Sequence, residues 1–200
     1  MNVLIVNNGQ NPPRNFLRLF SDHVCTVVSA SNITPGSTTD GYHLIILTGS
    51  NTHPIPYSYE RLSPLLTWLR RVTIPTIGIC YGAELIATAF ADDYSLTDGE
   101  EKFRGLVEVV PLPDTNWPFS QQQYLVYEAH RWNITNLATV LRPLMVNERG
   151  VLLFEHRVRP LIGFQFHPEK HTDETDGVVL LATCLNHLGI AMMVETKVKQ

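Results

Sequence analysis

Four short runs before residue 81 constrain the fold most: Asn2 to Asn7 (NVLIVN), Val24 to Ser29 (VCTVVS), Tyr42 to Thr48 (YHLIILT) and Thr76 to Cys80 (TIGIC). Each is apolar and rich in β-branched residues. A strand with one wet face alternates apolar and polar residues, so these unbroken runs predict strands covered on both faces. Between them, Asn15 to Asp22 carries Phe16, Leu17, Leu19 and Phe20 at helical spacing. Tyr59 to Val72 sets Leu62, Leu65, Leu66 and Leu69 on one helical face, and Gly82 to Phe90 (GAELIATAF) continues the pattern. Strands alternating with helices predict a parallel sheet with helices packed against it.

The second half changes character. Gly105 to Val110, Tyr124 to Ile134, Thr139 to Val146, Val151 to Glu155 and Leu161 to Phe166 are β-rich runs separated by turn residues, which predicts antiparallel pairing. Asn147-Glu148-Arg149-Gly150 has the composition of a hairpin turn. A last helix is predicted from Gly177 to Leu188, with Val178, Leu181, Leu185 and Leu188 on one side. No repeat or linker divides the chain, so residues 1–200 are expected to form one domain.

With 44% hydrophobic and 17% charged residues, the composition excludes a disordered or low-complexity chain. The net charge is -4, and basic residues gather only at Arg70-Arg71 and in a Lys197/Lys199 tail. That distribution offers no track for a phosphate backbone, so no nucleic-acid partner is expected. No apolar run approaches the ~20 residues of a membrane span, and the first residues lack the pattern of a secretory leader. The expected location is the cytoplasm, with no membrane partner. Cys25, Cys80 and Cys184 are an odd number without a C-x-x-C pair, which argues against a disulfide framework or a zinc knuckle. Cys25, inside an apolar run, and Cys184, inside an amphipathic helix, read as small buried hydrophobes. His53, His130, His156, His167 and His171 show no metal-ligand spacing, and neither a phosphate loop nor a dinucleotide fingerprint occurs. No metal or cofactor is expected.

Gly78-Ile79-Cys80-Tyr81-Gly82 ends a predicted strand and opens a predicted helix. A side chain perched on such a tight turn has close neighbours, so small residues must sit two positions to either side. The helix N-terminus should lower the thiol pKa, and nearby backbone N–H groups can face a developing oxyanion. At ordinary residue frequencies the pattern occurs by chance in about 1% of chains this long. A cysteine nucleophile needs a base. Phe164-Gln165-Phe166-His167-Pro168-Glu169 offers one at the end of an apolar strand, with Pro168 biasing His167 towards an extended backbone. Residues two apart in extended chain point the same way, so Glu169 can hold one imidazole nitrogen while the other faces the thiol.

These residues resemble the class I (triad) glutamine amidotransferases, which hydrolyse glutamine through Cys, His and Glu. The carriers are Pro75-Thr76-Ile77-Gly78-Ile79-Cys80-Tyr81-Gly82, followed by Glu84-Leu85-Ile86-Ala87, and Gly163 to Glu169, in the family's order. The resemblance covers nearly the whole chain. It implies a flavodoxin-like three-layer α/β sandwich, with a central mostly parallel sheet and an antiparallel β extension. Cys80 would be the nucleophile, His167 the general base and Glu169 its orienting partner, with oxyanion donors from the backbone of Ser50 and Tyr81.

Three positions depart from the family's pattern. The loop Leu47-Thr48-Gly49-Ser50-Asn51 lacks the usual Gly-Pro. Position 84 is Glu where many members carry the Gln that binds the substrate's amino-acid end; a carboxylate there could hold an α-ammonium but would repel an α-carboxylate. Glu128-Ala129-His130-Arg131-Trp132 lies where members bind glutamine's backbone atoms. Arg131 would then supply the carboxylate contact, unless Arg131 and Glu84 are unrelated surface charges. Gly49, Glu84, His130, Arg131 and Trp132 are thus the expected substrate contacts. The implied function is a glutaminase that forms a γ-glutamyl thioester and passes ammonia to a separate synthase subunit. A stand-alone γ-glutamyl peptidase or hydrolase, and a non-catalytic regulatory subunit of the same fold, remain as alternatives.

Overall fold

The computed structural model describes residues 1–91, 95–113 and 117–192; the predicted Lys197/Lys199 tail lies outside them. In chain order the elements are β1 (Asn2–Asn7), α1 (Arg14–Leu19), β2 (Val24–Ser29), β3 (Leu44–Leu47), α2 (Tyr59–Leu69), β4 (Thr76–Ile79), α3 (Tyr81–Phe90), β5 (Leu96–Pro111), β6 (Tyr124–Ile134), β7 (Leu141–Asn147), β8 (Gly150–His156), β9 (Leu161–Phe164) and α4 (Gly177–His187). One sheet runs β2-β1-β3-β4-β9-β8-β7-β5-β6. Its first five strands pair in parallel, and from β9 onwards every pairing is antiparallel.

Side-chain alternation along the parallel strands divides the core into two layers. Val3 and Ile5 of β1, Leu44 and Ile46 of β3, and Ile77 and Ile79 of β4 pack with Phe16 and Phe20 beside α1 and with Leu181, Cys184 and Leu185 of α4. Leu4, Val6, Ile45 and Leu47 face the other way, onto Leu65, Leu66 and Leu69 of α2 and Leu85 and Ile86 of α3. Period-two strands with both faces covered need apolar residues at every position, which is why these runs do not alternate.

β2 departs from that expectation. It is an edge strand, with Val24 67% and Val27 42% exposed. An apolar run specifies strand but not its place in the sheet. Cys25, on this edge, is correspondingly half-buried, while Cys184 is buried as expected. The antiparallel half follows the predicted runs, and Asn147 pairs with Gly150 across the expected hairpin. β5 is the exception, because it begins at Leu96, well before the predicted Gly105. Its early part, Thr97 to Arg104, is polar and pairs with β6 across a bulge between Asp98 and Phe103, where Glu100 takes a left-handed φ of 65°. Asp176 fastens α4 to this ribbon, its Oδ2 accepting from the Leu125 N–H at 2.8 Å and its own N–H donating to Leu125 O at 2.7 Å.

Candidate active site

Cys80 stands between β4 and α3 with φ 52° and ψ -107°, a conformation an L residue adopts at a cost of about 1–3 kcal/mol. The neighbours hold it there. Its N–H donates to Phe164 O at 2.6 Å, and its carbonyl accepts from the Glu84 N–H at 3.0 Å, starting the helix. A Cβ on Gly78 would lie 2.4 Å from Gly82 O, and one on Gly82 would lie 2.3 Å from Leu47 O. Both glycines are therefore required by close backbone approach, the reason read from the sequence.

His167 follows β9, and its N–H donates to Tyr127 O at 2.8 Å, which fixes it beside β6. Its Nδ1 lies 2.8 Å from Glu169 Oε1, both side chains being buried. Imidazole and carboxylate pair as expected, but across a turn rather than along extended chain, because the Lys170 N–H donates back to His167 O at 3.2 Å. Gly49, in the loop after β3, lies between the two halves of the site. A Cβ there would sit 3.1 Å from His167 Cε1 and 3.6 Å from Cys80 Cβ, so this glycine supplies space. The loop is tied down by Asn8, whose Nδ2 donates to Thr48 O at 2.7 Å, and by Lys102, whose Nζ donates to Asn51 Oδ1 at 2.7 Å. Ser50 Oγ lies 2.9 Å from Thr52 Oγ1. Tyr81 opens α3, and its backbone N–H acts to favour the Cys80 thiolate.

The thiol itself does not follow the helix-terminus argument. Burial pushes Cys80 well above the ordinary thiol range, and the charges of Glu84 and Glu169 push it further; the Tyr81 N–H and Lys170 act in the opposite direction without prevailing. A helix N-terminus supplies at most about 2 kcal/mol, less than the desolvation of a fully buried thiolate. Burial thus favours the neutral thiol over the thiolate, and Sγ lies 3.9 Å from Ala129 O. Ionisation must therefore be coupled to proton transfer.

A cavity of about 780 Å³ opens above Cys80, His167, Glu169, Gly49 and Ser50. Four expected substrate contacts do not line it. The Glu84 carboxyl is buried, and its Oε1 accepts from Gln165 Nε2 at 3.1 Å. His130 is buried with Nε2 2.9 Å from Glu128 Oε2 and Nδ1 3.0 Å from Trp132 O. Arg131 is half-exposed and forks onto Asp98 through Nε at 2.6 Å and Nη2 at 2.7 Å. Trp132 packs edge-on against Tyr57 at 5.8 Å. For Arg131 the physical reason is the early part of β5, whose pairing with β6 sets Asp98 opposite Trp132, within reach of Arg131, and engages it away from the cavity. Arg131 is thus the surface charge allowed as the alternative, whereas Glu84 is not one.

What lines the cavity instead is a set of cations: Lys102 and Arg104 from β5, Arg14 from α1 and Lys170 after Glu169. Glu169, already bound to His167, is the lone acid among the described residues that line it. Tyr127 and Ala129 of β6 complete the wall, with the Tyr127 ring 4.3 Å from that of His171. Alternation of Phe103, Gly105, Val107 and Val109 could have extended β5 back to residue 103 and placed Lys102 and Arg104 on one side of it. Nothing in the sequence signalled Arg14.

Fold and site together define an α/β protein of the strand-elbow-helix type, with a buried thiol at the carboxyl end of a central parallel strand. The class-I glutamine amidotransferase family model matches residues 4–186, and the chain belongs to that family. It is 27% identical over 115 residues to a glutamine-hydrolyzing GMP synthase subunit of Methanothermobacter thermautotrophicus, covering 57% of this chain and 61% of that one. It is 26% identical over 131 residues to the glutamine-hydrolyzing GMP synthase of Ehrlichia ruminantium, covering 62% of this chain but only 24% of that one. Among solved structures, a protein described as a candidate GMP synthase subunit from Thermoplasma acidophilum superposes with a TM-score of 0.79 at 22% identity, over 94% of each chain. That likeness shows the same flavodoxin-like fold.

Proposed function

We propose that the chain is a glutaminase that releases ammonia from the side-chain amide of glutamine and passes it to a separate synthase subunit. The observation that carries this is the 2.8 Å contact from His167 Nδ1 to Glu169 Oε1, buried against the same glycine loop as Cys80. Glu169 fixes the imidazole so that its other nitrogen serves the thiol. His167 takes the Cys80 proton as the sulfur attacks the γ-carbonyl carbon. The oxyanion points at the backbone N–H groups of Ser50 and Tyr81. As the C–N bond breaks, His167 returns the proton to the leaving nitrogen, giving ammonia and a γ-glutamyl thioester. Water, deprotonated by His167, then cleaves the thioester to glutamate and restores the thiol. The substrate's α-carboxylate lies by Lys102 and Arg104, the role the sequence had suggested for Arg131.

Membership of the family supports the reaction, and a relative named as one subunit of a GMP synthase supports a partner that consumes the ammonia. The net charge of -4 favours a small-molecule substrate over nucleic acid. Three unpaired cysteines suit the reducing cytoplasm. No helix among the described residues is long and apolar enough to cross a membrane.

The cavity favours a second reading. Ligand pockets of about 300–1,000 Å³ hold drug-sized molecules, and this one, at about 780 Å³ with four cations on its lining, exceeds what an amino acid fills. A stand-alone hydrolase of acidic γ-glutamyl peptides would use that space. Ammonia release from glutamine, measured beside amine release from a γ-glutamyl dipeptide, separates the two. Preference for glutamine, lost in Cys80→Ala, is expected; turnover of the dipeptide alone would overturn the glutaminase reading.

A further inference from the structure

Glu84 is a buried carboxyl that the steps above leave unused. It lies in the first turn of α3, one turn beyond Cys80, with its side chain accepting from Gln165 Nε2 at 3.1 Å. Gln165 is 1% exposed, and its Oε1 is buried without a partner among the described residues. A carboxylate only accepts, so an ionised Glu84 has nothing to offer that oxygen. A protonated carboxyl changes this, because it has an O–H to offer the amide oxygen while its Oε1 goes on accepting the amide N–H at 3.1 Å. Leaving a buried polar atom unmet is costly, so the orphaned oxygen favours the proton.

We propose that Glu84 is a positioning residue held protonated against Gln165, and that its ionisation sets a negative charge beside Cys80 which suppresses the thiolate. The groups that face Glu84 are Cys80 and Tyr81 on its own helix, His130 from β6 and Gln165 beyond β9. Those that face Cys80 are Glu84, Glu169 and Lys170, with His167 across the Gly49 loop. Burial pushes the Glu84 carboxyl up to about 7, against the opposing pull of the Gln165 bond and His130, so the proton is exchanged near neutral pH. The charge on Glu84 is the largest single charge effect raising the Cys80 thiol. The consequence for turnover rests on the glutaminase reading, whereas the effect on the thiol does not.

The test follows alkylation of Cys80 by iodoacetamide in the full chain, from about pH 6 to about pH 8.5, in wild type and Glu84→Gln. Mass spectrometry separates Cys80 from Cys25. Glu169, Lys170 and His167 are common to both proteins, so the rate ratio isolates Glu84. It should be near one at the acid end and rise to about tenfold in favour of Glu84→Gln at the alkaline end, the effect of one unit in thiol pKa. A ratio that stays constant across the range overturns the proposal. Infrared difference spectra of wild type supply a second measure that needs no variant to fold: a protonated carboxyl band should be present at pH 6 and lost by pH 8.5. A native protein without such a band at pH 6 also overturns it. If the ratio rises while neither protein releases ammonia from glutamine, the glutaminase reading fails and this one stands.

Discussion

Replacing Gly82 with Ala tests whether the elbow is set by backbone contact. The added Cβ would lie 2.3 Å from Leu47 O and 2.8 Å from Leu47 C and Cβ. Ordinary contact is about 3.5 Å, so the start of α3 must retreat from β3 by about 1 Å. Overpacking of this kind costs about 1–3 kcal/mol, and alanine's better helix propensity returns at most about 1 kcal/mol. The net loss is about 1–2 kcal/mol, or a drop in Tm of about 2–8 °C for a chain of this size. Because the same turn carries Cys80, a misplacement of about 1 Å should lower kcat/KM for glutamine about 100-fold. Guanidinium unfolding and steady-state ammonia release, on the same preparation, read the two effects. A variant that unfolds within about 0.5 kcal/mol of wild type and keeps its activity would refute the argument.

Further substitutions probe the cavity and its charges. Arg104→Ala should raise KM for glutamine about tenfold or more and leave an amide lacking the α-carboxylate unchanged, whereas Arg131→Ala, which breaks only the exposed pair with Asp98, should alter neither by more than about twofold. Glu84 also makes stability depend on pH. Its folded value of about 7 lies above the ordinary 4.5, so the unfolded chain loses the proton first and stability falls as pH rises from about 4.5 to about 7. Denaturant melts of wild type and Glu84→Gln should therefore diverge across that window by about 3 kcal/mol in favour of the variant, and parallel curves would contradict a raised carboxyl.

The parallel half was legible because burial on both faces leaves a simple trace, an apolar run without alternation. The same trace misplaced β2, since apolar content does not encode which strand ends a sheet. The elbow was legible for a different reason: Gly78 and Gly82 answer to local backbone geometry, which a five-residue pattern carries whole. His167 and Glu169 belong with it as a three-residue pattern, although a turn closed by the Lys170 N–H on His167 O, and not extended chain, brings them together. The substrate end was hidden. Thr97 to Arg104 has no apolar rhythm of its own and becomes strand by pairing with β6, and that pairing diverts Arg131 to Asp98 and brings Lys102 and Arg104 to the cavity. The thiol's ionisation was misread because the helix terminus is visible in sequence while the depth of burial is not.

The central claim is that Cys80 attacks the γ-carbonyl of glutamine. Its most direct test is mass spectrometry of the intact chain after exposure to a diazo-ketone analogue of glutamine. The account predicts one covalent adduct, located on Cys80, absent from Cys25 and Cys184, and prevented by excess glutamine. An adduct on the half-buried Cys25 instead, or labelling of Cys80 that glutamine does not slow, would contradict it.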